Sequence, residues 1–137
     1  MERAEALHRL AGVPTGHLAT VRPDGHPHVV VVTFALLGGH VVTAIDHKPK
    51  TTTRLQRLRN IEAGSYASFL VDRYTDDWSR LWWVRVDGPA SIHETGWFRD
   101  NAVTALTDKY SQYAAQPPDG PVIAVAIDQV TSWSSTQ

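Results

Sequence analysis

The segment HVVTAIDHKPKTTTRLQRLRNIEAG, residues 40–64, decides how this chain is organised. It opens with an apolar run that predicts a strand, passes through a basic loop and three consecutive threonines, and ends with apolar residues at helical spacing. Five basic residues fall between positions 48 and 59 with no acidic residue among them: Lys48, Lys50, Arg54, Arg57 and Arg59. Because hydroxyls cap helices and N-terminal N–H groups attract anions, the segment predicts a phosphate-binding corner formed by a strand, a loop and a helix N-terminus.

The same pattern has a simpler interpretation. Threonines before a helix usually serve only as caps, and basic residues on a short helix usually face water. The pattern is also much less specific than a nucleotide-binding loop motif. On the segment alone, both interpretations stay open.

Length, charge and composition exclude several classes of protein. The chain has 137 residues, which predicts a single domain over residues 1–137, and a net charge of −1, which predicts no binding to nucleic acid. It has no cysteine, so disulfides, thiolate metal sites and a cysteine nucleophile are excluded. The N-terminus is charged and amphipathic, and no apolar run approaches the roughly 20 residues that span a bilayer. We therefore expect a cytoplasmic protein without a membrane partner.

Turn residues and apolar periodicity predict six strands and a few short helices. The predicted strands are residues 16–21, 26–37, 40–45, 65–72, 81–92 and 122–127, and the predicted helices are 2–11, 96–114 and the one that ends at Gly64. Gly88-Pro89 indicates a bulge or bend of the kind that barrels need. Together these elements predict a small, mainly β antiparallel barrel with helices at its edges. The apolar run Val30–Val32 predicts a strand covered on both faces, one of them by a second subunit.

In this order the motifs resemble the FMN-binding split β-barrel family, also called pyridoxamine 5′-phosphate oxidase-like. The resemblance rests on GHLATVRPDGHPHVVVVTFAL (16–36), on residues 40–61, and on SYASFLVD (65–72) with LWWVRVDGPASI (81–92). It covers roughly residues 12–130. It implies a six-stranded antiparallel split β-barrel with short flanking helices. The chain looks most like the actinobacterial branch whose members use the deazaflavin F420 in place of FMN.

The resemblance also implies where a cofactor binds. Members of the family form homodimers, and each cofactor lies in a cleft between the two barrels. The residues that match the phosphate end are Lys48, Lys50, Thr51 and, further back on the strand, Thr43. The ring is expected beside the backbone of Ala44 and Ile45, and the partner chain is expected to close the site with Trp78 and one of Trp82 or Trp83, of which we favour Trp83. Any single tryptophan is more often a core or interface residue than a cofactor wall.

The activity implied by this resemblance is hydride transfer between F420 and a small, electron-poor unsaturated substrate. The cofactor supplies the chemistry, so we predict no dedicated catalytic residue. The alternatives are an FMN-dependent oxidoreductase on the same fold and a non-catalytic carrier or sensor of flavin, deazaflavin or haem. Vitamin-B6 oxidases have further C-terminal arginines, which VTSWSSTQ (130–137) lacks, so pyridoxamine phosphate oxidation is not expected.

Three histidines suggest a possible metal site at the first hairpin. His26 and His28 flank Pro27 and are expected to share a face with His17 on the facing strand. Imidazole suits zinc or iron. A histidine pair near a turn, without a carboxylate ligand, is more often a surface feature, so we predict no metal.

Overall fold

The computed structural model describes residues 1–45 and 55–136. Within these ranges the chain forms eight strands, four α-helices and one 3₁₀ turn at Trp78–Arg80. The elements in chain order are α1 (Arg3–Ala11), β1 (Gly16–Val21), β2 (Pro27–Val32), β3 (Ala35–Leu37), β4 (His40–Ala44), α2 (Gln56–Ala63), β5 (Tyr66–Arg73), β6 (Trp82–His93), α3 (Trp97–Lys109), α4 (Ser111–Ala115), β7 (Val122–Ala126) and β8 (Gln129–Ser134).

The long strand β6 joins the two halves of an antiparallel sheet with the order β2-β1-β5-β6-β7-β4-β3. Its first half pairs with β5 and β8, and its last four residues pair with β7. Gly88 lies where β6 changes partner, and a Cβ there would lie only 1.9 Å from the carbonyl oxygen of Ala126. The predicted bend is therefore a close crossing of two strands. The register with β5 continues unbroken to Pro89, so no bulge interrupts this pairing.

The barrel interior is filled by side chains that alternate along the strands, with Phe34 and Phe69 in edge-to-face contact at 4.7 Å between centroids. Gly16 packs directly against the Phe69 ring, where a Cβ would lie 2.2 Å from a ring atom. Helix α2 covers part of the interior with Leu58 and Ile61. Burial of these side chains is the main source of stability, at roughly 25 cal/mol for each Å² removed from water.

A second, smaller core forms on the other side of β4 and β7. Helix α3 packs there through Ala102 and Leu106, which are fully buried. Strand β4 is thus covered on both faces, which explains why its residues from Val41 to Ala44 are all buried. The site described below depends on this double coverage.

The structure corrects the predicted strands in two places. The strand predicted over 26–37 is two strands, β2 and β3, because the backbone N–H of Phe34 donates to the Tyr110 hydroxyl (3.0 Å) and leaves the ladder. β8 was not predicted, so the described ranges hold eight strands rather than six. Its residues pair with the first half of β6, from Trp82 to Asp87.

Two helix predictions also change. The helix predicted over 96–114 is interrupted at Tyr110, which has extended backbone dihedrals. The N-cap of α2 is Leu55, without a side-chain cap, so the predicted threonine cap does not occupy that position. None of the helices in the described parts of the chain is long and apolar enough to cross a membrane.

Candidate functional site

A cavity of about 210 Å³ lies beside the end of β4, at the corner that the sequence singled out. We call it the β4 cavity. Its lining residues are Val31, Val32, Thr33, Thr43, Ala44, Ile45, Leu55, Arg57 and Tyr113. Because strand residues alternate, Thr43 and Ile45 face the barrel interior while Ala44 packs toward α3. Residues 46–54 connect Ile45 to Leu55, and both of these residues line the cavity.

Helix α2 is held in place by a buried polar contact. Asn60 is fully buried, donates to the Thr20 hydroxyl on β1 (2.9 Å) and accepts from the Gln56 side-chain amide (2.6 Å). This contact fixes the rotation of α2, so Arg57 lines the cavity while Arg59 is exposed and hydrogen-bonds to Gln56. Two residues of the predicted basic run therefore lie on different sides of α2, because Arg57 faces the β4 cavity and Arg59 faces solvent.

Arg57 acts on a second titratable side chain near helix α2, that of His28. His28 lies on the interior side of β2, where burial lowers the pKa of its imidazole, and the charges of Arg22 and Arg57 lower this pKa further. A nearby anion would oppose that effect. Among the described residues, Arg57 is the cation that lines the β4 cavity, and it could there meet an anionic group.

The backbone of Ile45 contacts the loop that precedes β7. Its N–H donates to the Pro121 carbonyl at 2.9 Å, and Gly120 packs so closely that a Cβ would lie 2.4 Å from the Ile45 carbonyl oxygen. Arg99 in turn donates to the carbonyls of Pro118 (3.1 Å) and Gly120 (3.0 Å). These contacts make the floor of the cavity a fixed surface.

A second cavity, of about 450 Å³, lies on the outer face of β5 and β6. We call it the outer cavity, and its lining residues are Leu70, Asp72, Tyr74, Trp83 and Arg85. The Arg85 guanidinium lies 5.8 Å from the centroid of the Trp83 ring, within the range of a cation–π contact. Trp82, the neighbouring residue, points inward and is 7% exposed. Strand alternation therefore places Trp83 on the outer face of the sheet and Trp82 on the inner face.

The predicted site residues fall into separate groups. Thr43, Ala44 and Ile45 lie together in the β4 cavity, whereas Trp83 lines the outer cavity. Trp78 is 77% exposed and lines neither cavity. The predicted phosphate ligands Lys48, Lys50 and Thr51 lie outside the described residues.

The β4 cavity also has two hydroxyl-bearing residues that the sequence does not predict as site residues, Thr33 and Tyr113. The Thr33 hydroxyl and the Tyr113 hydroxyl are hydrogen-bonded at 2.8 Å across 80 positions of sequence. The sequence pattern predicts Thr33 inside a continuous strand over residues 26–37 and Tyr113 near the end of a helix over residues 96–114. The polar hydroxyl of Thr33 within an apolar strand was the one local signal available.

Part of the outer surface is apolar and uncovered. Val29 and Val31 on the edge strand β2 are 60% and 64% exposed. Val31 also lines the β4 cavity, so this cavity opens beside the uncovered face. The predicted covering of the valine run by a second subunit is compatible with this exposure, and it stays a prediction.

The predicted histidine arrangement is wrong. Cross-strand partners point to the same face of a sheet. His17 pairs with exposed Val31, whereas His28 pairs with buried Thr20, so these two histidines lie on opposite faces.

The shared strand β6, the strand order and the helix across the barrel define this molecule as a split-barrel protein. The chain belongs to the pyridoxamine 5′-phosphate oxidase family, whose model matches residues 3–134. A comparison with curated proteins finds no match.

Solved structures agree with this assignment of the fold. Rv2991 from Mycobacterium tuberculosis, a conserved hypothetical protein, is similar with a TM-score of 0.81 and 22% identity over 98% of this chain and 86% of that one. HutZ, the haem storage protein from Vibrio cholerae, gives 0.74 and 16% over 96% and 93%. An FAD-binding protein from Mesorhizobium loti gives 0.72 and 20% over 96% and 94%.

Proposed function

We propose that this chain forms a homodimer that binds a deazaflavin or flavin cofactor and transfers hydride between it and a small, electron-poor unsaturated substrate. F420 is our first candidate for the cofactor, and FMN is the alternative. The observation that carries the proposal is the β4 cavity, where three of the predicted cofactor residues meet the side chain of Arg57. A bound cofactor would supply the redox chemistry, and the protein residues would supply position and a dry environment.

Different site residues would bind the ring and the anionic group of the cofactor. The fixed backbone at Ala44 and Ile45 gives a flat surface for the edge of a ring system. Arg57 supplies a positive charge for an anionic group, with Lys48, Lys50 and Thr51 as further candidates from the loop that joins Ile45 to Leu55. Arginine is suited to phosphate because its guanidinium donates two parallel hydrogen bonds.

The size of the cavity favours a site completed by a second chain. Ligand sites usually have about 300–1,000 Å³, and the β4 cavity has about 210 Å³. It opens beside the exposed valines of β2, a surface that a second copy would cover. In a homodimer the partner's outer cavity would then contribute Trp83 as an aromatic wall. The proposed partners are thus a second copy and a small-molecule substrate, with no nucleic acid, membrane or metal.

The choice of cofactor follows from charge. F420 has a long anionic tail, and the guanidinium of Arg57 in the β4 cavity favours it. The similarity to an FAD-binding protein supports a flavin-type cofactor in general. The similarity to a haem storage protein supports the alternative of a non-catalytic haem, flavin or deazaflavin binder.

A parallel titration tests the proposal. The purified protein is titrated with F420, FMN and haemin, and binding is followed by fluorescence and absorption. We expect saturable binding of F420, with Arg57→Ala weakening it about tenfold, since one charge-assisted hydrogen bond contributes about 1.5–3 kcal/mol. Arg59→Ala removes an exposed charge from the same helix and should leave the affinity within twofold.

Each outcome of the titration has a distinct meaning. Preferred binding of FMN replaces the cofactor but keeps the site, and preferred binding of haemin favours the non-catalytic alternative. Binding of none of the three contradicts the proposal. Oxidation of reduced F420 by a panel of quinones and enones then distinguishes an enzyme from a carrier.

A further inference from the structure

The outer cavity contains two ionised side chains of opposite charge beside its indole ring. Its volume of about 450 Å³ lies within the range usual for small-molecule sites. Asp72 is directly opposite Trp83 on the neighbouring strand, and Arg85 follows Trp83 by two positions on β6. Because directly opposite residues and alternate residues share one face of a sheet, the three side chains project from the same face. A flat ring contact and two polar groups therefore lie next to one another.

The guanidinium of Arg85 is braced by Asp87. Its Nε donates to one carboxylate oxygen of Asp87 at 2.9 Å, and the Ser68 hydroxyl donates to the other. Burial raises the pKa of Asp87, but these hydrogen bonds and the charge of Arg85 outweigh burial and lower it, so the carboxylate stays ionised. Nη2 lies 3.5 Å from the Thr131 hydroxyl, and Nη1 has no hydrogen bond to any residue that the structure describes. Arg85 therefore presents N–H groups to the outer cavity from a fixed position.

Asp72 provides the complementary acceptor. It is exposed and lines the outer cavity. Within the described ranges its carboxylate takes part in no ion pair, because Arg85 pairs with Asp87 instead. A carboxylate only accepts hydrogen bonds, and a guanidinium only donates them. The cavity thus offers one acceptor and one donor beside the Trp83 indole.

This arrangement indicates the class of ligand, a flat heterocycle whose edge carries an N–H group next to a carbonyl. The N–H would donate to Asp72, the carbonyl would accept from Arg85, and the ring would contact Trp83. An anionic group is disfavoured, because the Asp72 carboxylate repels it. The pyrimidinedione edge of flavins and deazaflavins has the required pattern, with one N–H between two carbonyls.

We propose that the outer cavity recognises the pyrimidinedione edge of the cofactor ring, with Asp72 accepting from the ring N–H and Arg85 donating to a neighbouring carbonyl. This inference rests on the proposed function, which gives the outer cavity only an aromatic wall, and it adds the two residues that read the ring edge. Asp87 is then a positioning residue, since it acts on the ligand through Arg85.

The test uses two probes that have the ring system but no phosphate. Lumiflavin keeps the pyrimidine N–H, and in 3-methyllumiflavin a methyl group replaces that proton. Each is titrated into the purified protein, and binding is followed by flavin and tryptophan fluorescence. We expect wild type to bind lumiflavin about fivefold more tightly or better, since the methylated probe loses one charge-assisted hydrogen bond. Asp72→Ala should weaken lumiflavin binding by a similar factor and bind both probes equally.

Substitution of Arg85 affects the carbonyl, which both probes retain. Arg85→Met should therefore weaken both by about fivefold or more. Arg85→Lys keeps a cation beside Asp87 and loses the planar fork, so it should fold and still weaken both probes. Asp76→Ala and Arg80→Met are matched controls, because these exposed residues do not line the outer cavity, and they should bind like wild type. Circular dichroism verifies the fold of each variant.

Three results would overturn the inference: no saturable binding of lumiflavin by wild type, a preference for lumiflavin that persists in Asp72→Ala, or unchanged affinity of the Arg85 variants. The same variants are then titrated with F420 and FMN. If lumiflavin binding depends on Asp72 and Arg85 but neither cofactor binds, the proposed function fails and the subsite stands. If a cofactor binds to these variants with wild-type affinity, the subsite fails and the proposed function stands.

Discussion

The β4 cavity and the outer cavity differ in size, in their position in the sheet and in the side chains that line them. The first is small and lies at the end of a strand that is covered on both faces, with a fixed backbone floor and the cation Arg57. The second is wider and lies on an open sheet face, with Trp83 and Tyr74 as its aromatic side chains. Among the described residues, no side chain lines both cavities.

Under the proposed function, the two cavities would bind different parts of one cofactor. An anionic group needs a cation, and the β4 cavity provides the guanidinium of Arg57. A ring system needs an aromatic or apolar wall, which the outer cavity provides. In the proposed homodimer, the β4 cavity of one chain and the outer cavity of its partner would bind the two parts of one cofactor.

The largest expected effect comes from the joint between the two halves of the sheet. Gly88→Ala places a methyl group where the Ala126 carbonyl oxygen lies, at 1.9 Å from the new Cβ. The strands must separate, so we expect a loss of unfolding free energy of about 3 kcal/mol or more. Chemical denaturation measures this loss.

Gly39→Ala is the matched control, because a Cβ at Gly39 meets nothing within 4 Å. It should change the unfolding free energy by less than about 1 kcal/mol. Equal effects of the two substitutions would show that the crossing of β6 and β7 does not hold the halves together.

The next effect concerns the partly buried Lys109 at the C-terminal end of α3. Burial lowers the pKa of Lys109 to about 8. Its ammonium contacts the Phe34 ring, and this cation–π contact offsets only part of the cost of burial. Lys109→Met keeps the aliphatic packing and removes the charge. We expect a gain of about 2 kcal/mol in unfolding free energy at pH 7.

The pH dependence of this gain has a defined sign. The folded pKa lies below the unfolded value, so between about pH 8 and 10.5 the unfolded chain binds more protons at Lys109 than the folded one. Wild-type stability therefore rises with pH in this window, and the advantage of Lys109→Met shrinks. Urea denaturation of both proteins at pH 7 and pH 10 checks this, and an advantage that grows with pH would contradict the account.

The smallest effect concerns the outer cavity. Trp83→Ala removes its indole, and we expect F420 or FMN affinity to fall about tenfold, which corresponds to about 1.4 kcal/mol. Trp97→Ala is the control, because Trp97 is 74% exposed and lines neither cavity. Fluorescence titration measures both, and equal affinities would remove the outer cavity from the cofactor site.

Local patterns predicted the elements that depend on local chemistry. Strands β1, β5, β6 and β7 follow from alternation and turn residues, and their bounds agree to within one or two residues. The break at Phe34 could not be predicted, because it depends on a hydroxyl 76 positions away. β8 has weak alternation and is placed mainly by the free edge of β6.

The candidate site likewise combines features that the sequence predicts with contacts between distant parts of the chain that it does not predict. Residues Thr43, Ala44 and Ile45 are implied by the family resemblance, which rests on the order of the motifs along the chain. The outward position of Trp83 follows from strand alternation once β6 is placed. The contact between Thr33 and Tyr113 joins two elements 80 positions apart, and no local pattern encodes it.

The central claim, that one chain's β4 cavity and the partner's Trp83 hold the same cofactor, is tested most directly with a mixed dimer. Arg57→Ala and Trp83→Ala chains with different tags are co-expressed, and the mixed dimer is purified by both tags and titrated with F420 and FMN. A shared site collects both defects in one cleft and leaves the other intact, so we predict about half an equivalent of cofactor per chain, bound with wild-type affinity. Loss of all wild-type-affinity binding in the mixed dimer, or a protein that stays monomeric at micromolar concentration, would contradict the claim.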